Sequence, residues 1–557
     1  MDNYEIADQF SLLSKLMDIH GENTFKAKSY AVAAFNIEKL PAALSSMAPG
    51  DIFSIRGIGD AIGKKILQIL ETGRLNLLHE YLQKTPPGVL EMLQIKGLGP
   101  KKIATIWKEM GIESVGELLY ACSENRLSLF KGFGQKTQQN IKETIEFYLR
   151  NQGSYLFAEI GDYAEKTEKS LKNRFPENLF SITGSYRRHL ETIDELEWVT
   201  TAPQDALVEF LSSDNFALTE NSGPVITFRS PGNPKLKFHL SSPEEFGTVL
   251  FRSSASGEFL QAWERDLSKI PVRPSEENIF ESAGIPNIIP PLREKAYILD
   301  LARQNKIPEL IKAEDIRAII HSHSNWSDGS QTIEQMAEAA RSKGLEYLVI
   351  SDHSKSAFYA NGLTEERLRE QHAYIDQLNS KFHPFKIFKS IESDILNDGN
   401  LDYSNAVLGT FDLVIASIHS NLKMSEEKAM YRLMKAIENP YTTILGHMTG
   451  RLLLSRNGYP VDHKKIIEAC LQNRVVIELN AHPRRLDMDW RWIDYAIEKG
   501  VLISIDPDAH SIEGYEDTKF GVLAAQKGGL TKAGNLSSFS LTQFEEFLSQ
   551  TKKLKGT

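Results

Sequence analysis

Ile319-Ile320 is followed at once by His321-Ser-His-Ser-Asn-Trp-Ser-Asp-Gly329, a stretch whose residue types could hold a divalent metal. The apolar pair reads as the end of a buried strand. Alternate side chains of a strand share a face, so His321 and His323 are expected to project together. The Ser, Asn and Gly that follow favour a turn that returns Asp328 beside them. Further candidates stand at the ends of later predicted strands: His353 in Ser-Asp-His-Ser, Glu392 in Ile-Glu-Ser-Asp, His419 in Ala-Ser-Ile-His-Ser, His447 in Leu-Gly-His, and Asp508 and His510 in Asp-Pro-Asp-Ala-His. Any one of these alone reads as a hydrogen-bonded core or surface residue, as do His372, His383, His463 and His482. All nine at strand ends predict a metal site, with Asp352 and Asp506 orienting its ligands. Mixed imidazole and carboxylate donors suit Mn²⁺, Zn²⁺ or Fe²⁺ better than Mg²⁺. Clustered cations of this kind activate water, hold phosphate oxygens and stabilise a leaving alkoxide, which is phosphoester hydrolysis. Arg451 and Arg485 are candidate phosphate clamps, or structural partners of an Asp.

These residues need a scaffold, and the sequence around them reads as one. From Asp315 onward, strand and helix patterns alternate to the end of the chain, which predicts a parallel barrel with its site at the C-terminal strand ends. The opposite end of the chain has a different texture. Residues 5–48 read as short amphipathic helices. Ile55-Arg-Gly-Ile-Gly59 and Ile95-Lys-Gly-Leu-Gly99, and more loosely Lys131-Gly-Phe-Gly134, each precede a helix. Such a turn presents free helix-terminal amides to a phosphate, the sequence form of a helix-hairpin-helix that grips a DNA backbone without reading bases. Gly57, Gly59, Gly97, Gly99, Lys101, Lys102, Gly132 and Gly134 are the candidate DNA-binding residues.

Bulk properties narrow the classes. A chain of 557 residues is too long for one core. A net charge of −10, and 18 Lys and Arg against 17 Asp and Glu over residues 1–150, exclude binding of polyanions by bulk charge, so DNA must be held by placed groups. Two cysteines, an acidic start and the lack of a long apolar run lead us to expect a cytoplasmic protein with no membrane partner.

Between these ends lies Gly184-Ser-Tyr-Arg-Arg-His-Leu-Glu-Thr-Ile-Asp-Glu-Leu-Glu197. On this stretch, residues 1–300 resemble a bacterial-type family X DNA polymerase. The resemblance implies a lyase-like helical domain over 1–85, fingers over 86–150, an α+β nucleotidyltransferase-like palm over 151–245 and a thumb over 246–300. Gly184, Ser185, Arg187 and Arg188 match the family's triphosphate turn, where a dNTP would sit. Glu195 and Glu197 stand at its Asp-x-Asp metal pair, a possible Mg²⁺ site, and Lys237 stands at its third carboxylate. An ammonium there repels cations, so the polymerase site is expected to be lost or severely impaired. Ser254-Ala-Ser256 replaces the family's Thr-Gly-Ser turn. Lys65 matches the position of the lyase nucleophile, or holds a phosphate. Residues 301–315 read as a linker.

Residues 316–557 resemble the polymerase-and-histidinol-phosphatase (PHP) domain, which implies a distorted (β/α)7 barrel whose nine ligands hold three divalent ions. Ile319 stands where that family often has Asp, so the groups supporting the ligands are expected to differ. The fusion implies a 3′→5′ exonuclease in DNA repair, acting on gapped, nicked or 3′-ended DNA, usually with Mn²⁺. Three rivals stay open from the residues: an active gap-filling polymerase with a proofreading barrel, a non-catalytic DNA-end-binding scaffold, and a small-molecule phosphatase. A monomer is expected.

Overall fold

The computed structural model describes residues 3–38, 40, 43–55, 57–150, 153–267 and 269–557, so Arg56 of the first Gly-x-Gly turn lies outside the described residues. The chain divides into two compact units, residues 1–122 with 130–146, and residues 123–129 with 147–557.

The first unit is helical. Helix Asn3–His20 buries Ile6, Phe10, Leu13 and Met17, the three-to-four spacing of a single stripe, and packs against helix Thr24–Glu38. Helices Asp60–Thr72, Pro100–Lys108 and Gln135–Arg150 each begin directly after a Gly-x-Gly turn. The first glycine of each turn, Gly57, Gly97 and Gly132, has φ of 86°, 93° and 94°. Side chains disfavour that region, so the third turn, the loosest by sequence, shares the backbone of the other two.

In the second unit a five-stranded sheet comprises β1 (Phe180–Thr183), β2 (Glu195–Thr200), β3 (Ala217–Ser222), β4 (Val225–Arg229) and β5 (Lys235–Leu240). The order is β1-β2-β5-β4-β3, with β2 and β5 parallel. Leu196, Trp198, Leu236 and Phe238 point into the core beneath helix Phe157–Arg174. The twofold period of a strand therefore sends Glu195, Glu197, Lys235, Lys237 and His239 to the opposite face. Helices Phe246–Ser253, Gly257–Asp266 and Glu276–Ala283 follow and enclose Phe251, Phe259, Trp263 and Phe280.

The expected linker over 301–315 is not a free connection. Helix Tyr297–Arg303 buries Ile298, Leu299 and Ala302 in that aromatic cluster, and Ile311 is buried in the barrel core. Its apolar residues are too well spent on packing for a tether.

The barrel consists of seven parallel strands joined in chain order: β6 (Ala318–Ile319), β7 (Tyr347–Ile350), β8 (Lys386–Asp394), β9 (Leu413–Ser417), β10 (Ile444–Leu445), β11 (Val476–Asn480) and β12 (Ile503–Asp506). A parallel bridge between Ser322 and Ala509 brings the last strand back to the first, with the His323 amide donating to the Ala509 carbonyl at 2.8 Å. Every residue of β7, β9, β11 and β12 is buried, as expected of a parallel sheet covered on both faces. Phe544 and Leu548 of the final helix, Leu541–Lys555, pack under Tyr347 and Phe388. No helix among the described residues is long and apolar enough to cross a membrane.

Phe238 is fully buried between Trp198 (ring centroids 5.6 Å apart) and Phe228 (5.9 Å). Phe238→Ala should cost about 3–5 kcal/mol in that sheet's unfolding, seen as a lower urea midpoint by tryptophan fluorescence. An unchanged midpoint would contradict this packing.

Candidate metal centre and nucleic-acid interface

Strand β6 ends at Ile319, but the extended backbone continues through the Ser322 bridge, so His321 and His323 share one face with ring centroids 5.2 Å apart. Asp352 fixes the turn after them, accepting from the Ser324 amide (2.8 Å), the Ser324 hydroxyl (2.6 Å) and the Ser327 hydroxyl (2.5 Å). That turn sets Asp328 near His323, His353 and His510. His353 follows β7, Glu392 lies near the end of β8 and His419 follows β9. Asp508, beyond β12, has φ of 53°, a conformation Asp tolerates better than most residues.

Three groups of donors come together: His323, Asp328, His353 and His510; His321, His323, Glu392 and Asp508; and His353, Glu392 and His419, the donor atoms within each lying within 4.8 Å of one another. His323, His353 and Glu392 each belong to two groups. His447 joins none of them; its Nε2 lies 3.0 Å from Glu392 Oε1. Nε2 of His321 and His510, Nδ1 of His323, Oδ2 of Asp328 and Oε2 of Glu392 are buried and make no hydrogen bond among the described residues. Buried polar atoms without partners are costly, and convergent ones of these types fit a divalent cation.

The charges are strongly coupled. Burial would raise the Glu392 carboxyl, but His419, His321 and His353 hold it well below the usual range. Burial would lower His419 and His510, yet Glu392 with Asp394, and Asp328 with Glu124, push them up to about 10. His323 is lowered by burial and by His510 and His353 beside it.

Two positioning carboxylates escaped the sequence reading. Glu478 Oε2 lies 2.6 Å from His321 Nδ1, and Asp394 Oδ1 lies 2.5 Å from His419 Nδ1, so each imidazole turns its Nε2 toward Glu392. Glu478 was hidden in the apolar strand Val476-Ile-Glu-Leu-Asn480, where a lone carboxylate was the available signal. Glu124 was also missed. It is buried in the segment 123–129, and the charges around it include His510, Arg126 and Arg485.

The proposed clamp Arg451 is used elsewhere. Its guanidinium donates to Asp489 (2.7 Å) and to the carbonyls of Arg485 (3.0 Å) and Leu486, and lies 3.5 Å from Glu191. Arg485 sits nearer the donors, its Nε 3.7 Å from Asp508 Oδ2.

On the five-stranded sheet, register pairs Glu197 with Lys237. The Lys237 ammonium lies 2.9 Å from Glu195 and 3.1 Å from Glu197, Lys235 lies 2.7 Å from Glu195 and His239 2.9 Å from Glu197. A lysine thus occupies the space between the two carboxylates. A Cβ on Gly184 would fall 2.0 Å from Glu197 Oε1. Arg187 binds Glu276 (2.6 Å) and Ser254 (2.8 Å), Arg188 binds Glu294 (3.0 Å), and Ser185 lies in the same short turn. In the helical unit, Lys65 donates to the Ala61 carbonyl and sits 5.8 Å from the Tyr30 ring centroid. Lys102 donates to the Gly97 carbonyl at 3.2 Å, bracing the second turn. Lys101 is exposed in the first turn of helix Pro100–Lys108.

Comparison with known proteins agrees with this division. A helix-hairpin-helix domain model matches residues 1–75, a SAM-like helix-hairpin-helix tandem model residues 89–146, and a PHP domain model residues 320–482. The chain is 33% identical to the DNA polymerase/3′-5′ exonuclease PolX of Bacillus subtilis (strain 168), over 98% of this chain and 99% of that one. It is 26% identical to a probable phosphatase of Thermoanaerobacter sp. (strain X514) over 42% of this chain and 96% of that one, and 24% identical to one of Aliivibrio fischeri over 41% and 91%.

Because a metal ion and a proton compete for the same imidazole nitrogens, the raised His419 and His510 must release protons when an ion binds. Mn²⁺ affinity should rise from pH 6 to 9, and calorimetric heats should depend on the buffer's ionisation enthalpy. Buffer-independent heats would refute the competition. Glu478→Gln should weaken Mn²⁺ binding about 10–100-fold by loosening His321, measured by metal titration; an unchanged affinity would remove Glu478 from the site.

Proposed function

The chain belongs to the family of the DNA polymerase/3′-5′ exonuclease PolX, and from that premise we propose that its working chemistry is hydrolysis of phosphodiesters at DNA 3′ ends by the barrel, in DNA repair. The observation that carries this is the convergence of buried imidazole and carboxylate atoms that have no hydrogen-bond partner among the described residues. In this reading His321, His323, Asp328, His353, Glu392, His419, Asp508 and His510 hold three divalent ions, Mn²⁺ foremost, and His447 positions Glu392. Bound ions supply Lewis-acid charge to the phosphate and acidify water. Glu478 and Asp394 hold the His321 and His419 rings in place, Asp352 holds the turn carrying Asp328, and Arg485 lies beside Asp508. The helix-hairpin-helix turns at Gly57–Gly59, Gly97–Gly99 and Gly132–Gly134 hold the DNA backbone through helix-terminal amides.

The palm contributes no polymerisation in this proposal. Its residues do not fit Mg²⁺, since a Lys237 ammonium within 3.1 Å of both glutamates opposes a second cation. They do not fit a dNTP either, because Arg187 and Arg188 are paired internally and Glu197 fills the space at Gly184. Lys65 has no assigned lyase role.

The test uses a 5′-labelled primer on a gapped template with Mn²⁺, with and without dNTPs, beside a His321→Ala/His323→Ala variant. Shortening that the variant loses, with no extension in any lane, is expected. Extension by both proteins would overturn the account of Lys237, and shortening by both would overturn the metal centre.

A further inference from the structure

Between two of the proposed ligand positions, the segment Ser354–Gly362 crosses the rim of the barrel. It starts directly after His353, and the Ser356 hydroxyl donates to Asp394 at 2.7 Å, the same carboxylate that holds His419. Its far end is tied to the Asp328 turn, where the Asn361 amide donates to the carbonyls of Trp326 (3.1 Å) and Ser327 (3.4 Å). Ala357 and Ala360 are buried, and the Leu363 amide closes back on the His353 carbonyl at 2.9 Å. A short 3₁₀ turn, Phe358–Ala360, is therefore held by both ends to the metal centre.

That turn carries two aromatic residues in contrasting states. Phe358 is 81% exposed, the second most exposed of the large apolar side chains among the described residues. A single exposed phenylalanine needs no explanation on a random surface. This one stands on an anchored turn beside a phosphoesterase centre, its ring 5.8 Å from that of Tyr359. The Tyr359 hydroxyl is buried and has no hydrogen-bond partner among the described residues. The charged groups around it are Asp394, Glu392, Asp328 and Arg126, the last with its guanidinium 4.3 Å from the ring centroid. Burial, with those carboxylates, raises this phenol well above its ordinary range, so it keeps its proton and can donate it to an incoming acceptor or to water.

We propose that Phe358 is a stacking platform for the 3′-terminal base and that Tyr359 donates its hydroxyl to the terminal phosphodiester. The pair would make the centre selective for nucleotide ends over simple phosphoesters. Stacking suits this task because every base has a π-face, which allows shortening without sequence preference. The inference rests on the proposed 3′-end hydrolysis.

Two 5′-labelled single strands test it, identical except that one carries a 3′-terminal nucleotide lacking its base. With Mn²⁺, the wild type should prefer the intact end by about 10-fold in kcat/KM, within the range of one base–aromatic stack. Phe358→Ala should bring that preference close to one. Phe358→Trp should restore it, which a merely structural role would not require. Tyr359→Phe should lower kcat/KM on both strands by a similar factor and so keep the preference. A wild type indifferent to the missing base, or a Phe358→Ala variant that keeps the full preference, overturns the platform. A Tyr359→Phe variant as active as wild type overturns the donor. Release of no nucleotide from either strand by the wild type would instead refute the 3′-end hydrolysis itself, and the inference with it.

Discussion

The barrel's ligand cluster is built around one buried carboxylate. Glu392 is 1% exposed and meets five imidazoles, with nitrogens of His353, His447 and His419 at 3.0, 3.0 and 3.1 Å and those of His321 and His323 at 3.5 and 3.6 Å. An isolated charge so deeply buried would be strongly unfavourable. It is tolerated because positive charge, proton or metal, can be shared among the rings around it. The barrel supplies those rings from separate strand ends, so the site exists only when the sheet has curled far enough for Ser322 to meet Ala509. Chemistry and closure are the same constraint.

The contrast with the five-stranded sheet is instructive. There too acidic residues gather on one face, but the neighbouring strand answers with Lys235, Lys237 and His239, and the charges cancel within the protein. In the barrel the carboxylates are answered by imidazoles, which can exchange a proton for a metal ion; on the sheet they are answered mostly by ammonium groups, which cannot. The two acidic clusters therefore differ in the kind of cation that answers them. The same logic extends to the turn at Gly184, where Arg187 and Arg188 are bound to Glu276 and Glu294.

Much was legible in the sequence because local rules governed it. The Gly-x-Gly turns demand a backbone that favours glycine, and the barrel strands carry runs of apolar residues between helical patterns, so both announce themselves. The ligand candidates could be read because they cluster at strand ends. The supporting groups could not, because a carboxylate that holds an imidazole carries no spacing of its own. Glu478 is 157 residues from His321 in the chain. Arg451, read as a clamp from its position after Gly-His-Met-Thr-Gly, is instead spent on Asp489 and backbone carbonyls, a choice made by which loop packs beside it.

The sequence by itself therefore determined the helical turns, the strand-helix alternation, the donor types and the lysine opposite Glu195 and Glu197. Each depends on residue type and near-neighbour period. Only the tertiary structure decided how the donors divide into overlapping groups, that His447 stands against Glu392 outside those groups, and that the turn carrying Phe358 and Tyr359 is tied to Asp394 and to the Asp328 turn. These depend on distances across the barrel mouth, which are set by strand curvature and loop packing and leave no periodic trace in the chain.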